Sequence, residues 1–533
     1  MTRPARVYPF LFAIVPVLHL VAANPGQSTL DDLFIVLLVV LIGCGVVYGL
    51  AALATRRRPD AWAGRLAPLV VFGAVLWFWG YVEILDLVGH RGDLKTHALV
   101  FPLGLVATLG AGWWLLRRPA ALDRVTTFLT LTGGLLVGWS ALSIGLAEFK
   151  SARALRDSAV VRRLAKPIRL RGGNSTGPQR DIYLIVLDEY ANAEITADRY
   201  GFDNRAFLDS LRQLGFVVPV VHSNYLHTLL SIPSLLNASQ LADISTDLGP
   251  GTKDPTVPNY LVENNRAVAF LQSQGYGFAF FPSLWWAATR HNVHADLEAG
   301  ADDEFDVMRE LARTELRRDL RMASILDLLH RERAWQAADA EHLRRTFAGL
   351  AKVPQIRGPV FAFAHVLSPH KPFTFTADCR PLAGVAVSSK ASSLYVEQIK
   401  CLDRMVLRLV TGLLHDSDVP PVILLQGDHG LPSPAFDSAA TAEAIPPHAA
   451  YERFGAFGAY YLPGNGAAAF GDSVTVVNVL GDVLRYYAGA DLPREPDDLY
   501  VSSYTRPYAF RRATSSWLAR IDSLGPRTSL VPR

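Results

Sequence analysis

Charge is scarce in this chain of 533 residues: Asp, Glu, Lys and Arg make up 19% of it against 50% hydrophobic residues. That balance is too apolar for one soluble domain. No basic helix and no aromatic stacking platform stands out, and a net charge of +3 at pH 7 says little, so nucleic-acid binding is excluded as a reading. Internal repeats and low-complexity tracts are missing as well. Cysteine is the rarest residue, with three copies: Cys44, Cys379 and Cys401.

What is present in excess is apolar sequence before residue 150. Five runs, near 8–23, 31–54, 66–89, 97–116 and 126–147, are read as membrane spans, each close to the ~20 residues a bilayer core needs. A signal peptide competes for the first run, since Arg3 and Arg6 precede an apolar stretch ending in "VAAN". Arg3 and Arg6, then Arg56, Arg57, Arg58 and Arg65, then Arg117, Arg118 and Arg124 mark alternate ends of the runs. Those ends are expected on the cytoplasmic side. An odd number of spans then puts everything after residue 150 outside, where Cys379 and Cys401 could pair in an oxidising compartment.

The expected organisation is a transmembrane domain of five helices over 1–149, a juxtamembrane amphipathic helix and linker over 150–180, and an exported domain over 181–526. The last residues, 527–533, end in "LVPR" and read as the remnant of a thrombin-cleavable tag. In "FKSARALRDSAVVRRLAKPIRLRGGNSTGPQR" basic residues alternate with Ala, Val and Leu before Gly, Ser and Pro take over. The pattern fits a helix lying on the outer leaflet, or equally a solvated connector. From 181 onward, short runs such as "DIYLIVLDEY", "PVFAFAHVL" and "PVILLQGDHG" alternate with helical stretches, including 203–214, 303–349 and 392–414. Buried apolar strands joined by helices predict an α/β domain with a mostly parallel sheet. Chemistry in such a sheet collects at the carboxyl ends of its strands.

Three strands end in chemistry-bearing residues. "YLIVL" runs into Asp188 and Glu189, "VILLQG" runs into Asp428 and His429, and "FAFAHVLSPHKPF" carries His365 and His370. Carboxylates brought to one sheet edge repel unless a cation joins them. The mixed oxygen and nitrogen donors suit zinc or manganese better than calcium or magnesium. His365 reads more readily as a buried structural residue, while His370, between Pro369 and Pro372 and beside Lys371, is placed to meet an anionic substrate. In "SNYLHTLLSIPS", Thr228 is either the cap of the helix that follows or a nucleophile. Trp285 and Trp286, with Arg290 and His291, are candidates for the rim of an entrance. Glu83 and Asp86, at the outer end of the third run, stand where membrane carboxylates are functional candidates.

These pieces, in this order after five apolar runs, resemble the alkaline phosphatase and sulfatase superfamily, closest to membrane-anchored phosphoethanolamine transferases and lipoteichoic acid synthases. The resemblance implies an N-terminal five-helix bundle carrying an alkaline-phosphatase-like exported domain. It implies that Asp188, Asp428 and His429 bind one divalent metal ion, zinc or manganese, with a second left open, and that Thr228 is nucleophile and further ligand. Glu189 departs from the pattern: the transferases have a single Glu at this strand end and the sulfatases paired Asp, so Asp188, Glu189 or both face the metal. His370 would assist the leaving group, and His365 and His448 would meet substrate. Arg453 would pair with a phosphate or cap a strand. The implied activity moves a phospho-head group, phosphoethanolamine or phosphoglycerol, from a phospholipid donor to an envelope glycan or lipid acceptor through a phosphothreonine. Rival readings are a sulfatase, a phosphodiesterase and a non-catalytic lipid sensor. The sulfatase Cys-x-Pro-x-Arg context is missing, "CRPLA" at Cys379 being its only lookalike.

Overall fold

The structure is a computed structural model describing residues 6–24, 26, 28, 30–55, 60–88, 94–171, 178–283, 286–298, 315–327, 332–382 and 391–513. The tag-like end and Trp285 lie outside the described residues. Two compact units form: Met1–Ala152 with Asp306–His330, and Arg153–Phe305 with Arg331–Arg533.

The first unit is helical: α1 (Tyr8–Ala23), α2 (Leu30–Ala54), α3 (Asp60–Val88), α4 (Leu94–Leu116) and α5 (Pro119–Asp157). Four of these, α2 to α5, are long and apolar enough to cross a membrane, whereas α1 is apolar but has 16 residues. At about 1.5 Å per residue α1 reaches roughly 24 Å, short of the ~30 Å hydrocarbon core. Large apolar side chains such as Phe34, Leu103, Leu135 and Trp139 are exposed on these helices, as lipid-facing residues are. Glu83 and Asp86 are exposed in the last turns of α3.

The expected helix over 303–349 is instead broken into Glu315–Met322 and Glu332–Leu350. Leu316 and Leu320, one turn apart, pack with Val17 and Val36 in the first unit. Arg317 Nη2 lies 3.3 Å from Asp32 Oδ1, both nearly buried. Apolar burial against α1 and α2 thus claims the shorter piece.

The stretch expected to lie on the outer leaflet differs too. Helix α5 runs unbroken to Asp157, and a six-residue helix, Ala159–Leu164, follows, its cap Ser158 Oγ accepting from Val161 N at 3.0 Å. Its apolar residues Val160 and Leu164 are buried with Tyr225, Leu230, Leu261 and Tyr508 in the second unit. The apolar side of this short helix is thus taken up by the core of the second unit.

The second unit is built on seven strands: β1 (Ile182–Leu187), β2 (Phe216–Val217), β3 (Gly277–Phe281), β4 (Leu297–Glu298), β5 (Val360–Val366), β6 (Val422–Gln426) and β7 (Gly458–Tyr461). Their order is β2–β7–β6–β1–β5–β3–β4. Neighbours from β6 to β4 pair in parallel, and β7 pairs antiparallel with both β6 and β2. Strands β1, β5 and β6 are buried throughout because both faces are covered. Tyr183, Ile185 and Leu187 join one core with residues of helices Arg205–Gln213 and Ala391–Asp416. Ile182, Leu184 and Val186 join the opposite core with helices Thr228–Asn237 and Val476–Tyr487. The period of two along each strand therefore divides two cores around one sheet. A disulfide joins Cys379 to Cys401. A hairpin, β8 (Tyr500–Ser503) with β9 (Arg506–Arg512), closes the unit.

Candidate active site

The parallel strands deliver their next residues to one edge. Asp188 follows β1, its N–H donating to Val366 O at 3.0 Å. Glu189 then adopts φ 62°, a left-handed conformation unusual for a residue with a Cβ. That turn sends successive carboxylates in different directions. Tyr395 OH donates to Glu189 O at 2.8 Å, and Glu189 N donates to Asp428 Oδ1 at 3.1 Å.

Asp428 and His429 follow β6 between two glycines whose size is required. A Cβ on Gly427 would lie 2.5 Å from Tyr190 O, and one on Gly430 would lie 2.0 Å from Glu452 O. Thr228 is the first residue of helix Thr228–Asn237 and is half-buried, its Oγ1 2.9 Å from His429 Nε2. Ser231 is buried below it, its Oγ donating to Asp428 O at 2.7 Å. The helix start and the end of β6 are thereby held together.

His429 Nδ1 lies 3.2 Å from Gly430 O, an acceptor, so that nitrogen carries the hydrogen and Nε2 keeps its lone pair. Nε2 then faces Asp428 Oδ2 at 3.0 Å, acceptor against acceptor. Asp188 Oδ1 and Asp428 Oδ2 are buried without a hydrogen-bond partner. One ligand atom from each of Asp188, Asp428 and His429 falls within 4.8 Å of the others. Three convergent acceptors with two orphaned oxygens are what a divalent cation would satisfy. The residues fit such an ion.

The electrostatics follow. Burial and the neighbouring Asp188 charge push the Asp428 carboxyl well above its ordinary range. Burial also opposes ionisation of Asp188, but the neighbouring His370 and His365 outweigh it and hold this carboxyl below the usual range. Burial, then the Arg453 charge, drives the His429 imidazole well below its ordinary pKa and keeps it neutral.

His365, buried on β5, has Nε2 3.4 Å from Asp188 Oδ2 and Nδ1 2.9 Å from Thr289 Oγ1. Ser283 Oγ lies 2.6 Å from that Thr289 hydroxyl, and the half-buried Trp286 ring stands edge-on to the imidazole at 6.0 Å. His291 Nδ1 lies 2.6 Å from Glu298 Oε2. His370 is more open: its N–H donates to Asp188 O at 3.1 Å and its Nε2 lies 3.8 Å from Glu189 Oε1.

Arg453, on helix Pro447–Phe454, is 1% exposed. Its Nη1 donates to Glu189 Oε1 at 2.7 Å and Gly430 O at 2.6 Å, its Nε to Leu226 O at 2.8 Å and its Nη2 to Tyr504 OH at 2.7 Å. Nη2 also lies 3.4 Å from His429 Nε2. All three nitrogens are engaged, so the guanidinium ties the ends of β1 and β6 to the nucleophile loop. Glu189 Oε1 belongs to that ion pair, and Glu189 stands outside the Asp188, Asp428 and His429 group. His448, half-buried in the first turn of the same helix, lies outside it as well. Thr289, Tyr395 and Tyr504 escape sequence reasoning; each is a lone residue without a motif.

The Sulfatase family model matches residues 180–467. The chain belongs to the sulfatase family. Among solved structures it is similar to the C-terminal periplasmic domain of EptC from Escherichia coli, with 9% identity and TM-score 0.42, covering 64% of this chain and 94% of that one. It is similar to the lipooligosaccharide phosphoethanolamine transferase EptA from Neisseria meningitidis, with 12% identity and TM-score 0.39, covering 91% and 94%. An alkaline phosphatase superfamily protein from Vibrio parahaemolyticus gives 11% identity and TM-score 0.36, covering 62% and 75%. These likenesses are too distant to assign an activity. No curated protein matches the chain. In this sulfatase-family domain Cys379 is engaged in a disulfide and lies on no strand end of the site.

Proposed function

We propose that the chain is a phosphoryl-group transferase working on lipid head groups at the outer face of a bacterial inner membrane, with residues 1–149 as anchor and 181–526 as exported catalytic domain. The observation that carries this reading is the Thr228 hydroxyl, half-buried, 2.9 Å from His429 Nε2 and beside the orphaned oxygens of Asp188 and Asp428. A divalent cation, zinc or manganese, held by Asp188, Asp428 and His429 would lower the pKa of a nearby hydroxyl and offset charge on a phosphate.

The chain's own residues do the rest. Thr228 Oγ1 gives up its proton to solvent and forms a bond to the phosphorus of the donor, the bond to the diacylglycerol oxygen breaks, and that oxygen takes a proton. His370, the more open imidazole of the pair, is placed to give it. The free N–H groups at the start of helix Thr228–Asn237 face the phosphoryl oxygens. An acceptor hydroxyl, on an envelope glycan or lipid, then displaces Thr228. Anchoring raises the effective concentration of a donor in the same leaflet. His365, held by Thr289, supports Asp188, and His448 is left as a candidate contact for the acceptor.

Against the sulfatase rival, Cys379 is tied to Cys401 and no other Cys or Ser stands in the required context. Against a non-catalytic sensor, every candidate ligand is retained. Intact mass of detergent-purified protein incubated with phosphatidylethanolamine and phosphatidylglycerol tests the proposal. The expected result is an added head-group mass on the wild type and none on Thr228→Ala. Diacylglycerol release without an adduct points to the hydrolase; neither adduct, release nor bound cation returns the sensor.

A further inference from the structure

The hairpin β8–β9 lies beyond the residues that the family model covers, yet it is stitched to the loop that carries Thr228. Tyr500 N donates to Asn224 O at 2.9 Å, and His227 Nε2 donates to Ser502 O at 2.9 Å. At its tip Ser503 Oγ and Thr505 Oγ1 both donate to Ala440 O. The tip is therefore held at two points, and Tyr504 between them has a fixed place.

That place is over the residue preceding Thr228. The Tyr504 ring centroid is 4.8 Å from that of His227 and 5.2 Å, edge-on, from that of Phe436. Its hydroxyl accepts from Arg453 Nη2 at 2.7 Å. Nevertheless 45% of Tyr504 is exposed. A pinned tyrosine that packs on the residue preceding the nucleophile and still leaves nearly half of its surface to solvent is poorly explained as core, because core packing would cover it.

We propose that Tyr504 is the specificity-determining residue for the acceptor: its ring stacks on a neutral, hydroxyl-bearing sugar ring and directs one hydroxyl to the phosphorus on Thr228. This rests on the two-step transfer reading and adds a residue to its second step. In that step the sugar oxygen bonds to phosphorus, the Thr228 Oγ1–phosphorus bond breaks, and the sugar's proton ends on Thr228. An ammonium group is the other natural occupant of an aromatic face. The Arg453 guanidinium argues against it: its centre lies 5.8 Å from the Tyr504 ring and 5.3 Å from the Phe436 ring. That charge repels a second cation and already draws on the phenol oxygen. A neutral ring meets neither cost.

The test uses full-length protein in detergent, charged with phosphatidylethanolamine and phosphatidylglycerol, then offered octyl glucoside and n-octanol together as probes. The wild type is expected to favour the glucoside product over the octanol product. Tyr504→Ala should lower that product ratio about tenfold or more, and Tyr504→Leu, which refills the space against Phe436 without a ring, should lower it as far. Tyr504→Phe keeps the ring and should hold the ratio within about threefold. A ratio unchanged in Tyr504→Ala and Tyr504→Leu overturns the proposal, as does a wild type with no preference for the sugar. An equal fall in Tyr504→Phe also overturns it, reassigning the residue to holding Arg453. A wild type that forms no mass adduct sinks the underlying transfer reading, a separate observation made before any acceptor is added.

Discussion

Around Arg453 each guanidinium nitrogen has a partner within 2.8 Å, whereas a few ångströms away Asp188 Oδ1 and Asp428 Oδ2 are buried with none. Both halves of the site are charged and dehydrated, so both carry a desolvation cost. The Arg453 half offsets most of it inside the chain, through Glu189 Oε1 and main-chain carbonyls, with Glu189 Oε2 alone left without a hydrogen-bond partner. In the Asp188 half two carboxylates and an imidazole lone pair converge with no donor or cation of the chain between them. The paired half reads as scaffold, the convergent half as the place where a cation would act.

The largest effect expected from that contrast comes from removing one acceptor of the convergent half. Asp428→Asn should reduce bound zinc or manganese from one per chain to near none, and head-group transfer by about a thousandfold, comparable with losing one preorganised electrostatic element. For the wild type, cation at a hundred times its dissociation constant should add about 2.7 kcal/mol of stability. Asp428→Asn should show no such gain, and in chelator should melt above the wild type because one buried carboxylate has lost its repulsive partner. Metal content by mass spectrometry and melting curves with and without chelator read both. Wild-type metal content in Asp428→Asn would erase the distinction between the halves.

Breaking the paired half should cost stability more than chemistry. Arg453→Met leaves Glu189 as a buried, uncompensated charge, which costs about 3–5 kcal/mol. Adding Glu189→Gln should recover a good part of that, since the charge is then gone. A denaturation-based double-mutant cycle measures the coupling. If Arg453→Met instead kept its stability and lost only affinity for donor lipid, Arg453 would belong with the ligand-facing half.

The convergent half was legible in the sequence, the paired half was not, and the reason is physical. Asp188, Thr228 and the Asp428, His429 pair each stand at a punctuated end, a run of apolar residues stopping at a polar one, and the parallel sheet brings such ends together. Arg453 could be seen only as a partner for a phosphate or the cap of a strand. Its pairing with Glu189 spans 264 positions and depends on the left-handed turn at Glu189, which no local pattern announces. Tyr504 sits on a hairpin tip with no motif at all. In the first unit, apolar content gave the helices, α1 running over the same 8–23 as its apolar run, but the diversion of Glu315–Met322 to α1 and α2 depends on packing partners.

A smaller effect probes how far the paired half extends. Beneath Glu189, Tyr190 OH donates to the buried carboxylate of Asp403, and Asn204 Nδ2 donates to Tyr190 OH at 2.7 Å. Burial pushes the Asp403 carboxyl up to about 8, although Tyr190, Arg404 and Asn204 pull the other way. An unfolded Asp titrates near pH ~3.9, so between there and pH 8 the unfolded chain gives up this proton while the folded chain keeps it. The wild type therefore loses stability through that window as pH rises. Asp403→Asn carries no such proton. Its melting temperature relative to the wild type should climb from about pH 4 and level off above pH 8, by several degrees in all. A flat difference across that range would mean that Asp403 is ionised in the fold, its charge held by the Tyr190 network, and the paired half would then extend one layer deeper than Arg453 and Glu189.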